Sequence, residues 1–213
     1  MDHRIKTIGI ASGLIALNVA LMSGIAFSPI ASITGLVFEH LIIGVLFFGA
    51  FLTAGVWIAK SGIRNNDKTR TGLGAGILQA AYGIFGGGIL SLAPPSLMPI
   101  VILSTFAATL TISVLSAALV YFTGRDFSRW GIYSTYLFLG VIGLSLFGTF
   151  LPGFGVIAFF LALAGFTTYL IHEIYILREQ EASALMNGLG IYIAFMGVFV
   201  QVLQMVLRFY LER

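Results

Sequence analysis

The chain has 213 residues, of which 59% are hydrophobic and only 9% charged, with a formal net charge of +3. A soluble domain carries about 25% charged residues, so this composition excludes one and leaves a multispan membrane protein. The absence of cysteine excludes disulfides, thiolate metal sites and a cysteine nucleophile, and the basic residues are scattered over connectors instead of lining a nucleic-acid-binding face.

Crossing a bilayer takes about 20 apolar residues, and the apolar runs predict seven spans, at about 7–27, 32–59, 72–92, 97–122, 130–150, 156–177 and 184–207. They account for nearly every residue, so the expected fold is all-α, a single seven-helix transmembrane domain over residues 1–213. Met1-Asp2-His3-Arg4-Ile5-Lys6 looks like the charged start of a signal peptide. The run that follows is as long as a full span and has no clear cleavage site, so it reads as a retained helix.

In chain order, Ser28-Pro29-Ile30-Ala31 makes a tight connector, and span two carries Glu39 and His40 in its first half. A polar loop from Lys60 to Arg70 leads into span three, where Gly72, Gly76, Ala80, Gly83 and Gly87 recur every three or four positions. Such a stripe of small residues lets a neighbouring backbone approach closely. Ala93-Pro94-Pro95-Ser96 breaks the chain before span four, Arg125 and Arg129 bracket the connector to span five, and Pro152-Gly153 turns into span six.

Cytoplasmic connectors are enriched in Lys and Arg. Arg4 and Lys6 precede span one; Lys60, Arg64, Lys68 and Arg70 follow span two; Arg125 and Arg129 follow span four; Arg178 follows span six. The connectors after spans one, three and five have none. The alternation predicts a multi-pass protein of the cell membrane with its N-terminus cytoplasmic and its C-terminus outside, leaving Arg208 and Arg213 as exceptions. In span seven Asn187, Gly190, Ala194, Gly197, Gln201, Gln204 and Arg208 recur at spacings of three or four on one helical face. Lipid offers such amides nothing, so that face is expected to turn inward, with span seven as a central helix.

The short loops, the Arg125-Asp126-Phe127-Ser128 connector, the polar end of span six and a last helix ending Gln201-Val202-Leu203-Gln204-Met205-Val206-Leu207-Arg208-Phe209 resemble the transmembrane Bax inhibitor motif family, over roughly residues 72–209. The resemblance implies seven helices around a central C-terminal one and the activity of a pH-sensitive calcium leak channel. In that family span six ends in an aromatic followed by aspartate, and span seven carries a leucine-aspartate pair three residues before an asparagine, the two carboxylates facing each other as sensors of protons and calcium. The resemblance puts Glu173 at the first position and His172 where the aromatic stands. Aligning Gln201 with the asparagine and Arg208 with a terminal arginine puts Gly197-Val198 at the leucine-aspartate pair. The second carboxylate is missing, and its replacement would be His172 or Lys60.

Ionisable groups inside a span are costly and mark sites, so His172 and Glu173, near the end of span six, are the first candidates. Burial disfavours a charged carboxyl and a nearby cation favours it. Glu173 is therefore expected to act as a cytoplasmic-side pH sensor and candidate calcium ligand, or, in the plainer reading, to pair with Arg178 near water. His172 is either part of that sensor or a hydrogen-bonded packing residue. Glu39 is the deepest acid, about 12 Å into span two, and its candidate partners are Gln201, Gln204 and Arg208; a Glu39–Arg208 pair would close an outer mouth. His40 and His172 fall in opposite halves of the membrane, too far apart to share a metal or haem.

No His-Glu-x-x-His, Gly-x-Ser-x-Gly or phosphate-cradling loop is present, so no catalysis and no cofactor are expected, with calcium entering only as a permeant ion. The expected function is a cation conduit. The alternative is a structural or assembly subunit using its small-residue stripes to pack against membrane-protein partners. A proton-coupled secondary transporter would want a helix broken near the midplane, and the Gly and Pro residues here lie mainly at span ends.

Overall fold

The computed structural model describes residues 3–31, 41–148, 151–179 and 182–212. Among them the chain forms seven helices and no strand: α1 His3–Ala26, α2 Leu41–Arg64, α3 Lys68–Leu90, α4 Met98–Thr123, α5 Trp130–Gly148, α6 Pro152–Glu179 and α7 Ala184–Leu211. Helices α1 and α3 to α7 are long and apolar enough to cross a membrane by length and hydropathy, and α2 is 24 residues long with no charge before Lys60. The chain is a multi-pass, all-helical membrane protein. Each expected span matches a helix. The expected start of span two near residue 32 lies outside the described residues, as do Glu39 and His40.

Local chemistry sets the helix ends. Asn66 takes the left-handed region at φ 53°, which Asn tolerates. Asp67 then caps α3, its Oδ1 accepting from Arg70 N at 2.9 Å. Gly124 closes α4 at φ 60°, and Ser183 caps α7 by accepting from Met186 N at 3.3 Å. Within the apolar helices hydroxyls return their hydrogen to the preceding turn, as Thr105 does to Val101 O at 2.7 Å, which satisfies them where lipid cannot.

Helix α7 is the core. Every residue from Asn187 to Leu203 except Ile191 is buried, so burial extends round the whole helix and is not confined to the face the amide spacing marked. Helices α1, α3, α4 and α6 pack directly on it; α2 lies against α3, and α5 lies against α6. The outward surfaces carry large apolar side chains, Leu103 at 68% exposure and Phe122 at 89% among them, as hydrocarbon solvent allows.

The glycine stripe of α3 divides in two. Gly83 and Gly87 sit against Leu21 and Ile25 of α1, and the close approach to α2 is made by Gly74, off the stripe, where a Cβ would collide with the backbone of Ala59. Gly72 and Gly76 face open space. Gly86, in the Gly86-Gly87-Gly88 run, seats the Met22 side chain, so that run serves close packing.

Candidate functional site

Glu173 is the one carboxylate buried among the described residues, at 4% exposure. It lies in the last two turns of α6 and is pressed against the backbone of α7 at Gly190, where a Cβ would overlap both carboxylate oxygens. Glycine at 190 is therefore what makes room for the acid. From α2, Lys60 Nζ stands 3.9 Å from Glu173 Oε1 and donates to the Tyr169 hydroxyl at 3.3 Å. That hydroxyl also lies close to Glu173, one helical turn away on the same face of α6. Lys60 also lies 5.9 Å from the centroid of the Tyr169 ring. The Lys60 side chain is 30% exposed against 5% for Glu173, so the cation has a way to solvent that the anion lacks. One turn before Gly190, Asn187 is 1% exposed with neither side-chain atom hydrogen-bonded among the described residues.

The other expected site residues that the structure describes are not gathered here. His172 turns to a separate neighbourhood: its Nδ1 lies 3.2 Å from Phe127 O, and its Nε2 lies where a Cβ on Gly131 would meet it at 2.7 Å. A carbonyl only accepts, so Nδ1 carries the proton in this contact. Arg178 does not pair with Glu173. It binds Glu179 at 2.7 Å and donates to Val120 O at 2.6 Å, tying α6 to the end of α4. Gln201 is buried, Gln204 half-buried and Arg208 exposed. Gln201 lies eleven residues beyond Gly190, about 16 Å at 1.5 Å per residue. Any partnership of these three with Glu39 falls outside the described residues.

The position aligned with the missing second carboxylate does not face Glu173 either. Val198 is completely buried in an apolar cluster with Phe166 and Leu170, about 12 Å along α7 from Gly190. Beside it, Gly197 receives the ring of Phe166, which stacks edge-on with Phe138 at 4.7 Å. What meets Glu173 is Lys60 and Tyr169.

Between α2 on one side and α5 on the other lies a cleft of about 1550 Å³, floored by α6 and α7. Lys60 and Arg64 stand at one end of it, Gln201, Gln204 and Arg208 at the other, with a largely apolar wall between. Glu173 does not line it; Tyr169 and Lys60 stand between the acid and the cleft.

A second polar cluster crosses α1, α3 and α7, and the sequence reading passed over it. Asn18 Nδ2 donates to Gln79 Oε1 at 2.7 Å and lies 3.1 Å from the Tyr192 hydroxyl, Gln79 Nε2 donates to Leu14 O at 2.9 Å, and Tyr82 donates to Ile193 O at 2.8 Å. The available signal was a lone amide in each of two apolar spans, since amides there look for each other. Among the described residues no group of three or more His, Asp or Glu side chains gathers in metal-binding geometry.

The fold and site define a polytopic helical membrane protein with a buried acid seated against its central helix and met by a lysine from α2. Compared with known proteins, the chain matches no protein-family model, and no curated protein matches it.

Proposed function

We propose that the protein is a cation conduit of the membrane, calcium its candidate ion, with its gate where Glu173 meets Lys60. The observation that carries this reading is that the one carboxylate buried among the described residues is answered by an ammonium from another helix, its side chain 30% exposed and only loosely held at 3.9 Å. Lys60 occupies the place an entering cation would take and acts as a tethered stand-in. Its withdrawal frees the carboxylate, and Asn187 offers the next oxygen along α7. This keeps the activity that the resemblance to the Bax inhibitor motif family implies, with a lysine in place of the second acid. The cleft is not taken as the cation's route, because its charged lining among the described residues is wholly basic.

By the distribution of Lys and Arg this gate lies on the cytoplasmic side of the cell membrane; an outer mouth at Glu39 falls outside the described residues. The test is calcium flux into liposomes at about pH 6 and about pH 8, with Glu173→Gln beside the wild type. The reading expects a leak that changes with pH and a change that the substitution abolishes. A well-reconstituted protein that conducts in neither form overturns it. A second reading, an assembly subunit, is favoured by one observation: Gly72, Gly76 and Ala80 present a small-residue stripe on the exposed side of α3. Stoichiometric membrane-protein partners in a mild-detergent purification would support it.

A further inference from the structure

The cleft between α2 and α5 has a chemistry of its own. At about 1550 Å³ it exceeds the roughly 300–1,000 Å³ of small-molecule pockets. Its wall is apolar, built from side chains such as Phe48, Leu52, Phe138 and Phe159, which offers an ion or a polar solute little. Among the described residues its charged groups are Lys60 and Arg64 at one end and Arg208 at the other, with no carboxylate. Lys60 is engaged by Glu173, but Arg64 has no carboxylate within ion-pair distance among the described residues. Beside them Trp57 is 65% exposed, and the Arg70 guanidinium lies 5.2 Å from its ring centroid, which adds positive charge at the same end. The α7 floor runs from Ile193 to Arg208, about 22 Å, longer than the roughly 15 Å depth of one leaflet's hydrocarbon.

We propose that this cleft holds one molecule of an anionic phospholipid, its headgroup at Arg64 and Lys60 and its acyl chains along the apolar wall. Basic pockets between transmembrane helices select anionic headgroups, at about fivefold in affinity for each Lys or Arg near the surface. The apolar wall accounts for the chains and the basic end for the headgroup. Free phosphate would have use only for the second. The proposal shares Lys60 with the cation reading but is tested apart from it, because its readouts, Arg64→Gln and Ala54→Trp, touch neither Glu173 nor any flux.

The experiment is native mass spectrometry of the full chain in detergent, stripped of co-purified lipid and titrated with phosphatidylglycerol and phosphatidylcholine of the same acyl chains. One phosphatidylglycerol per chain is expected, preferred over phosphatidylcholine by about five- to thirtyfold and not displaced by inorganic phosphate. Arg64→Gln should remove about fivefold of that preference. Ala54→Trp, placed on the cleft wall, should remove bound lipid of either headgroup while thermal unfolding stays cooperative. Equal binding of the two lipids, an unchanged preference in Arg64→Gln, displacement by phosphate, or full lipid retention in a folded Ala54→Trp would each overturn the proposal.

Discussion

Replacing Lys60 by Met keeps most of its length and removes its charge, which isolates the electrostatic part of the Glu173 contact. At 3.9 Å and an effective dielectric of about 20, the attraction is about 4 kcal/mol. Solvent at the 30% exposed lysine side chain screens it to about 1–2 kcal/mol. The larger cost is what remains behind, because a buried charge stripped of its partner typically costs about 3–5 kcal/mol, relieved in part here by Tyr169. Lys60→Met is therefore expected to lose about 2–3 kcal/mol, or about 5–10 °C in the unfolding midpoint for a chain of this size. Glu173→Gln leaves behind a lysine that reaches water and should shift the midpoint by no more than about 3 °C. The double substitution should return most of what Lys60→Met loses. Scanning fluorimetry of the four proteins in one detergent measures the cycle. If the double variant is as unstable as Lys60→Met alone, Lys60 acts through packing and the reasoning fails.

Gly190→Ala should drive the Glu173 carboxylate off its seat and lose about 1–3 kcal/mol in denaturant unfolding, the usual cost of overpacking; Glu173→Ala in the same chain should recover most of the loss by making room. Asn18→Leu should lose about 1–2 kcal/mol by leaving Gln79 and the Tyr192 hydroxyl short of a partner, with faster amide exchange at the α1–α3 contact as a second readout. Asp126, in the loop outside the spans, accepts from Ser128 N at 2.7 Å, which holds its carboxyl below the ordinary 3.8. The stabilisation from a lowered carboxyl is present above the ordinary value and lost only as pH falls through the lowered one. Asp126→Asn should therefore leave any flux difference between about pH 6 and about pH 8 unchanged, and a changed difference would move the pH sensor away from Glu173.

The helices were legible because lipid makes length and polarity nearly decisive: uncharged runs bounded by Asp67, Pro94-Pro95, Gly124, Pro152 and Ser183 leave few other ways to satisfy the backbone. The centrality of α7 was legible from its amides and glycines. Its burial on every side was not, since Phe195 and Val198 suit lipid as well as they suit other helices. Glu173 stood out as an acid in an apolar run, and Lys60 was one of three partners the sequence offered, beside His172 and Arg178. The choice between Lys60 and His172 needed three dimensions, because adjacent residues point about 100° apart and His172 is turned towards Phe127 and Gly131. Gly190 was visible only as one small residue in a periodic face. Its role depends on how far α6 has slid along α7, which no spacing within either helix encodes. The same sliding puts Val198 beyond the reach of Glu173, against the aligned carboxylate pair.

The central claim is that Lys60 holds the place of a cation at Glu173. Calcium flux through single-protein-density proteoliposomes tests it most directly, with wild type, Lys60→Met and Glu173→Gln compared at one pH. The account predicts that Lys60→Met, by vacating the carboxylate, conducts faster than wild type, while Glu173→Gln conducts slowest. Equal flux from all three, or a Lys60→Met variant that reconstitutes fully and conducts less than wild type, would contradict it.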